Sequence, residues 1–364
     1  MRVLFMTNIP SPYRGEFFNE LGKLCDLTVT FEGKSATDRD EKWKAAVNVN
    51  YKAIFMNGIR TKSDQFLCTG IIKILRQRFD KIIVGGYSTP TSMLAIEYMR
   101  LHKIPFSIEA DGGLIETEST IKYRIKKHFI SAASSWLSTG RTTDAYFVHY
   151  GAKPDRIFDY PFTSLHTEDI QKELVQPEEK YSIRKKIGLK GNRIVLAVGQ
   201  FIPRKGFDVL LRAWHDCPQN WTLCIVGDTP TQEYLNLQQS LKLDNVLFKG
   251  FMSKTELQEY YRAADLFVLP TREDIWGLVI NEAMAEGLPI VTTDHCVAGL
   301  ELVRNGDNGY VVPVNDPTTL AEKIRCVLSD EKTCREMQAS SLERIRRYTI
   351  ENMAKEHFKI LQGL

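Results

Sequence analysis

The sequence predicts an α/β protein made of two doubly wound, Rossmann-like domains. Short apolar runs with strand character alternate with helical patterns along its 364 residues, which is typical of parallel sheets covered by helices. The alternation begins with Arg2–Thr7 (RVLFMT), fades in the charged stretch Asp159–Leu189, and restarts with Arg193–Gly199 (RIVLAVG). We therefore expect an N-terminal domain over residues 1–165 and a C-terminal domain over residues 170–345.

Composition narrows the class of protein. A hydrophobic content of 43% and a charged content of 26% are those of a soluble globular protein, and a net charge of +3 is too small to indicate nucleic acid. The seven cysteines include no C-x-x-C pair, which favours reduced thiols over disulfides or a zinc site. The N-terminus is too quickly polar for a signal peptide, and no stretch approaches the ~20 apolar residues that span a bilayer. We expect a cytoplasmic protein.

The first domain supplies two candidate features near the ends of strands. Its further predicted strands are Leu27–Phe31, Ile82–Val84, Phe106–Glu109 and Ala145–His149. Glu109 and Asp111 lie where a strand ends, followed by two glycines, and open parallel sheets bind ligands at the carboxyl ends of their strands. These acids therefore either contact a substrate or are solvated turn residues.

The turn after the first strand argues against a dinucleotide cofactor. The loop 8–15 precedes a predicted helix over Glu16–Lys23 and contains a single glycine, Gly15. A site for NAD or FAD would require G-x-G-x-x-G at this position. We therefore interpret Gly15 as a turn glycine, with or without contact to a ligand.

A basic segment, Lys122–Phe129 (KYRIKKHF), alternates cations with apolar residues. Its lysines and arginine are Lys122, Arg124, Lys126 and Lys127. Such a segment either lies on an anionic membrane or forms a solvated helix face.

The most informative stretch is Thr271–Thr293 (TREDIWGLVINEAMAEGLPIVTT). With the preceding run Asp265–Pro270, it predicts a strand, a loop, a helix over Leu278–Glu286 and a second strand over Ile290–Thr293. Gly277 lets the backbone approach a ligand where the helix begins, and a helix N-terminus favours an anion such as a phosphate.

Charged residues in this domain are suited to a sugar nucleotide. Asp274 and Glu282 could bind hydroxyl groups on either side of the anion, although acids near helix starts are also ordinary caps. Arg204 and Lys205 precede a glycine and a helix, where they could neutralise a diphosphate by charge-assisted hydrogen bonds.

The stretch also resembles the donor-site signature of the family-4 retaining glycosyltransferases, Glu-x-Phe-Gly-Leu-x-x-x-Glu-Ala-Met-Ala-x-Gly-x-Pro-Val. Asp274 stands where the first Glu is usual and Trp276 where Phe is usual, while Gly277, Leu278 and Glu282 match. The matching continues through Ala283, Met284, Ala285, Gly287 and Pro289.

Two flanking segments extend the resemblance. Lys205 and Gly206 match the family's Gly-Arg…Lys-Gly phosphate clamp, but Gln200 replaces its arginine, a charge that Arg204 could supply. The segment 295–317 is similar to the family's closing pattern, with Glu301 in place, and Asp228 ends a strand that the family places near the nucleotide.

The resemblance implies the GT-B architecture, in which two Rossmann-like domains face each other across a cleft and a final helix, here about 346–364, packs back on the first domain. It also implies retaining transfer of a sugar from a nucleotide-diphosphate sugar, most simply a UDP-sugar, to a saccharide or lipid-linked acceptor. The expected setting is capsule, exopolysaccharide or O-antigen biosynthesis at the inner face of the plasma membrane.

Residue roles follow from the same resemblance. Arg204, Lys205 and the helix N-terminus would take the place of a metal, Asp274 would bind the donor sugar, and Asp111 or Glu109 the acceptor. The remaining donor-binding candidates are Gly15, Gln200, Asp228, Trp276, Gly277, Leu278, Glu282 and Glu301. No cofactor is expected.

Three alternatives remain, of which a sugar-nucleotide epimerase shares this architecture. A sugar-nucleotide epimerase would need no acceptor, and a non-catalytic subunit of a transferase pair would tolerate the departures at Gln200 and Asp274. A sugar phosphorylase would need a pyridoxal lysine, for which no surrounding motif is present.

Overall fold

The computed structural model describes residues 1–34, 50–62 and 64–364. The chain divides into two compact units, one formed by residues 1–166 with 348–364 and one by residues 167–347. Each unit is a parallel sheet flanked by helices, so the predicted pair of doubly wound domains is confirmed. Within these described ranges, no helix is both long and apolar enough to cross a membrane.

The first unit contains a seven-stranded parallel sheet in the order β3-β2-β1-β6-β7-β8-β9. Its strands are β1 (Arg2–Thr7), β2 (Asp26–Phe31), β3 (Lys52–Phe55), β6 (Lys81–Gly85), β7 (Ser107–Glu109), β8 (Ser135–Ser138) and β9 (Ile157–Asp159), and a separate antiparallel hairpin joins β4 (Ile59–Lys62) to β5 (Gln65–Leu67). Its helices are α1 (Pro12–Gly22), α2 (Ile71–Leu75), α3 (Pro90–Leu101), α4 (Thr120–Ile130), α5 (Arg141–His149) and α14 (Ile350–Gly363). Helix α14 packs against α1, so the end of the chain completes this unit.

The second unit contains a six-stranded parallel sheet in the order β12-β11-β10-β13-β14-β15. Its strands are β10 (Ile194–Val198), β11 (Thr222–Val226), β12 (Val246–Lys249), β13 (Leu266–Leu269), β14 (Ile290–Thr293) and β15 (Gly309–Val312). Its helices are α6 (Pro177–Ile187), α7 (Phe207–Trp214), α8 (Gln232–Ser240), α9 (Lys254–Ala263), α10 (Leu278–Ala285), α11 (Val297–Leu302), α12 (Pro317–Ser329) and α13 (Glu331–Ile345). Strands β10 and β13 are fully buried, which explains their continuous apolar sequences.

Two local predictions in the first unit are wrong. Ala145–His149 is the end of helix α5 and not a strand, because Thr143, Tyr146 and Phe147 bury one face at helical spacing. The first helix begins at Pro12, four residues before the predicted start, because a proline is favoured in the first helical turn. Gly15 consequently lies inside α1 and is not the turn glycine that the sequence suggested.

Candidate functional site

The candidate site of the second unit lies where its strand order reverses. Strands β10 and β13 are adjacent, but the chain proceeds from β10 towards β11 and from β13 towards β14. The chain leaves these two strands towards opposite sides of the sheet, so a ligand crevice is expected here at its carboxyl edge. Ligands of doubly wound domains bind at this switch point.

The loop after β10 forms a tight turn that carries Arg204 and Lys205, here called the cation turn. Pro203–Lys205 is a single 3₁₀ turn, and Gly206 follows it with φ 69° before α7 begins. A Cβ at Gly206 would lie 2.1 Å from the carbonyl oxygen of Pro270, so the close approach of the two loops requires glycine. The turn is thereby held directly beside the loop that follows β13.

The loop after β13 is fixed in a similar way. Gly277 has φ 102°, and a Cβ there would lie 2.9 Å from Sγ of Cys296. The backbone N–H of Asp274 donates to the carbonyl of His295 at 2.9 Å, which attaches the loop to the segment after β14. The N-terminus of α10 therefore lies at the carboxyl edge of the sheet, beside the switch point.

The two loops bring three predicted residues together. The ammonium of Lys205 contacts Oδ2 of Asp274 at 2.6 Å, with side chains only 13% and 15% exposed. Arg204 is exposed and donates from Nη1 to the carbonyl of Glu273 at 2.8 Å. Asp274 is therefore an ion-pair partner of the cation turn, a contact that no local sequence pattern indicated.

Two further candidates lie on neighbouring loops at the same edge. Gln200 is exposed after β10, and Asp228 is exposed after β11, where its carboxylate accepts the N–H of Thr229 at 2.8 Å. A Cβ at Gly227 would lie 2.0 Å from the carbonyl oxygen of Gly199, so these two loops also touch.

Glu282 projects from α10 as a half-buried acid. The hydroxyl of Tyr261 donates to its Oε2 at 2.9 Å. Burial raises the pKa of Glu282, and the hydrogen bond from Tyr261 opposes that rise. Leu278 at the start of α10 and Glu301 on α11 are also half-buried, so both remain partly accessible.

Trp276 has a different place from the one expected of a donor contact. Its side chain is 3% exposed, and its Nε1 donates to Oδ1 of Asn281 at 2.8 Å. Its carbonyl accepts the N–H of Ala298 and the thiol of Cys296. The buried indole therefore stabilises the loop from within. A buried tryptophan N–H needs a hydrogen-bond acceptor, and the asparagine five residues later in the sequence was the signal that could have indicated this burial.

The acids of the first unit lie in a buried charge network. Glu109, the last residue of β7, has a side chain with no exposure, and it contacts Arg14 and, at 2.9 Å, Nε2 of His357. The hydroxyl of Tyr160 lies 3.3 Å from Oε1. Glu109 is therefore not a solvated turn acid, nor is it open to an acceptor.

Asp111 differs from Glu109 because its side chain is 30% exposed. Arg14 pairs with its Oδ1, and the hydroxyl of Tyr13 lies 3.4 Å from its Oδ2. Burial and the neighbouring carboxylate of Glu109 raise the pKa of Asp111, while Arg14 lowers it. Of the two predicted acids, only Asp111 reaches the surface.

The predicted basic segment forms helix α4. Lys122, Arg124 and Lys127 are exposed, as are Ile121 (72%) and Ile125 (46%). Lys126 is not part of this surface. Its ammonium contacts Glu118 at 2.9 Å and Tyr150 at 3.2 Å, and its side chain is 14% exposed.

Residues 179–344, which make up most of the second unit, match the family described as glycosyl transferases group 1. The second unit is therefore similar to a group 1 glycosyl transferase domain. The match includes the cation turn, Asp274, Glu282 and Glu301.

Curated relatives agree with this assignment. A D-inositol 3-phosphate glycosyltransferase of Catenulispora acidiphila is 31% identical in an alignment of 222 residues that covers 57% of this chain and 51% of that protein. An exopolysaccharide phosphotransferase of Streptomyces coelicolor is 32% identical over 180 residues, 48% of this chain and 19% of the relative. The chain spans about half the length of the curated glycosyltransferases it matches.

The whole fold is similar to that of a solved structure. HepE of Anabaena in complex with UDP has a TM-score of 0.80 at 18% identity, with 100% of both chains covered. The same protein has also been solved with UDP-glucose, at a TM-score of 0.74. The predicted GT-B class is therefore confirmed at the level of the fold.

Proposed function

We propose that this protein is a retaining glycosyltransferase that transfers a sugar from a UDP-sugar to a saccharide or lipid-linked saccharide. The observation that carries the proposal is the cation turn, which places Lys205 within 2.6 Å of Asp274 at the switch point of a group 1 domain. The UDP and UDP-glucose complexes of HepE support this nucleotide. The exopolysaccharide relative supports a role in the synthesis of surface polysaccharide.

The chemistry follows from the charge that develops at the diphosphate. As the bond between the anomeric carbon and the β-phosphate oxygen breaks, the acceptor oxygen bonds to that carbon from the same face, and its proton passes to the departing diphosphate. Lys205, Arg204 and the N-terminus of α10 stabilise the new negative charge by preorganised electrostatics, without a metal ion.

The other residues bind the two substrates in this proposal. Asp274 contacts hydroxyls of the donor sugar, and Glu282 contacts the ribose. Asp111 contacts the acceptor, because its side chain is exposed whereas that of Glu109 is not. Glu109 holds Arg14 in place and thereby orients Asp111.

Thermal shift with UDP and a panel of UDP-sugars tests the proposal in the presence of EDTA. A ligand at 100 times its Kd stabilises the folded state by about 2.7 kcal/mol. For a unit of this size, each kcal/mol of stabilisation raises the Tm by roughly 2–4 °C. Lys205→Ala should remove most of the shift, whereas Lys242→Ala, an exposed cation of the same unit, should retain it.

Two outcomes would contradict the proposal. One is the absence of a shift with UDP or any UDP-sugar, and the other is a shift that EDTA abolishes and Mg²⁺ restores. Product analysis with a bound donor then separates the alternatives. Conversion of the nucleotide sugar to its epimer without an acceptor would indicate an epimerase, and binding without turnover would indicate a non-catalytic subunit.

For location we propose a cytoplasmic protein that binds the anionic inner leaflet through α4. Exposed Ile121 and Ile125 lie on the same helix as exposed Lys122, Arg124 and Lys127, and isoleucines could enter the headgroup region between cations. An anionic lipid surface satisfies both kinds of side chain.

Co-sedimentation with vesicles of phosphatidylcholine and phosphatidylglycerol tests this location. Each cation near such a surface is worth about 1 kcal/mol, so replacing Lys122, Arg124 and Lys127 by glutamine should weaken binding by roughly 100-fold. The control is a triple variant with Lys190, Lys242 and Lys332 replaced by glutamine, which are exposed cations of the second unit. Equal binding by both triple variants would contradict a role for α4.

A further inference from the structure

Arg272 is a charged residue in the loop after β13, and the proposed chemistry assigns it no role. It follows Thr271 after β13, and its side chain is 31% exposed. Its guanidinium uses both Nη atoms to grip the carboxylate of Asp208, at 2.8 and 2.7 Å. Nη1 also donates to the carbonyl of Pro203 at 2.5 Å, and Nε donates to Oδ1 of Asn315 at 2.7 Å.

These contacts join three loops at the carboxyl edge of the sheet. Pro203 belongs to the cation turn after β10, and Asn315 follows β15 in a left-handed conformation with φ 59°. Asp208 lies in the first turn of α7, directly after the cation turn. One guanidinium therefore occupies four of its five N–H donors in holding the crevice loops together.

The backbone around Arg272 holds the same turn. The N–H of Arg272 donates to the carbonyl of Arg204 at 2.7 Å, and the hydroxyl of Thr271 donates to that carbonyl at 3.0 Å. The carbonyls of Pro203 and Arg204 are thus both bound by the loop after β13. The direction of the Arg204 and Lys205 side chains depends on this attachment.

We infer that Arg272 is a positioning residue for the diphosphate: it fixes the turn that carries Arg204 and Lys205. The inference rests on the proposed function, in which those cations bind the diphosphate. Arg272 acts through the turn and needs no contact with the ligand. Loss of Arg272 should therefore weaken the binding of the β-phosphate and leave the binding of the nucleoside nearly unchanged.

The pKa shifts of Asp208 and Arg272 agree with a stable ion pair between them. Burial alone would raise the pKa of Asp208, but the hydrogen bonds and charge of Arg272 hold it below its usual value. The hydrogen bonds that Arg272 donates to Asp208 likewise raise the pKa of Arg272. A lysine at position 272 would keep the charge but lose the bidentate geometry.

Calorimetric titration of UDP and UMP into the whole chain tests the inference. Arg272→Gln should weaken UDP binding by about 10-fold to 100-fold, because Arg204 and Lys205 would lose charge-assisted hydrogen bonds to the β-phosphate. UMP binding should fall by less than about threefold, because UMP lacks the β-phosphate that these cations would bind. Arg272→Lys should recover part of the loss.

Two controls separate positioning from stability. Arg344→Gln removes another arginine–carboxylate pair of the same unit, to Asp307 at 3.1 Å, and should leave both nucleotides unaffected. Asp208→Asn, which keeps the shape of the side chain, should reproduce the selective loss of UDP in weaker form and serves if Arg272→Gln does not fold.

The possible results separate a failure of the positioning role of Arg272 from a failure of the proposed function. If the unaltered protein binds UDP and the variants at positions 272 and 208 lose UDP and UMP equally, or lose neither, the inference is wrong while the donor proposal stands. If the unaltered protein binds no UDP, both are wrong. A selective loss of UDP that Arg272→Lys partly restores supports the inference.

Discussion

Glu109 in the first unit and Asp274 in the second are both ion-paired acids near the carboxyl end of a parallel strand, but their surroundings differ. Glu109 is fully buried, and arginine, histidine and tyrosine side chains surround it. Asp274 is 15% exposed and pairs with Lys205, whose side chain is 13% exposed. A ligand can replace Lys205 as the partner of Asp274, whereas nothing from solvent reaches Glu109.

The surroundings of a charged side chain separate a structural charge from one that can bind a ligand. A buried pair must be satisfied inside the protein, because an uncompensated charge there is costly. A pair that is partly exposed, such as Lys205 and Asp274, can exchange its internal contact for a contact with a ligand. By this criterion Asp274, Lys205 and Asp111 remain candidates for substrate contact, and Glu109 becomes a support for Arg14.

The largest expected effect is on stability, in the first unit. Glu109→Ala would leave Arg14 without one of its two carboxylates and His357 without its acid partner. Breaking a buried pair typically costs 3–5 kcal/mol. We expect a loss of about that size in urea denaturation of the first unit. Glu179→Ala, which breaks the more exposed pair with Arg262, should cost no more than about 1 kcal/mol.

The pH dependence provides a second measurement on the same variant. Burial alone would raise the pKa of Glu109, but Arg14 and His357 outweigh it and lower the pKa from 4.5 to about 2. Because the folded-state pKa is depressed, the stabilisation is fully present above the unfolded pKa and is lost as pH falls towards 2. The difference between the unaltered protein and Glu109→Ala should therefore shrink between pH 4.5 and pH 2; a constant difference would contradict the ionised pair.

Local patterns predicted much of the fold because they depend on nearby residues. The βαβ unit around α10 was readable from its apolar runs, Gly277 and Pro289, since helix stops and strand runs are local signals. Ala145–His149 was misassigned because its β-branched and aromatic composition concealed a helical spacing that begins earlier, at Thr143.

Long-range contacts could not be predicted from the same patterns. His357 meets Glu109 across 248 positions of sequence, and Arg272 meets Asp208 across 64. No periodicity of either segment indicates these partners. For the same reason the sequence marked Lys205 and Asp274 as separate candidates and gave no sign of their pairing.

Smaller effects, on ligand affinity, should distinguish Asp274 from Glu282, the two acids of the proposed donor site. Asp274→Asn should weaken UDP-glucose by about 1.5 kcal/mol, roughly tenfold, because a charged hydrogen-bond acceptor for the sugar is lost. UDP has no sugar at that position, so its affinity should stay the same or rise slightly, since Lys205 would no longer be held by an internal anion.

Glu282→Gln should act differently, because the ribose is common to both ligands. The hydroxyl of Tyr261 fixes the carboxylate of Glu282 at 2.9 Å, so the change removes a positioned acceptor from UDP and UDP-glucose alike. Calorimetry of both ligands with both variants, and with Glu233→Gln as an exposed control on α8, measures the division. If Asp274→Asn weakened UDP and UDP-glucose equally, Asp274 would serve only to hold the cation turn, and its exposure at the crevice would not mean contact with the sugar.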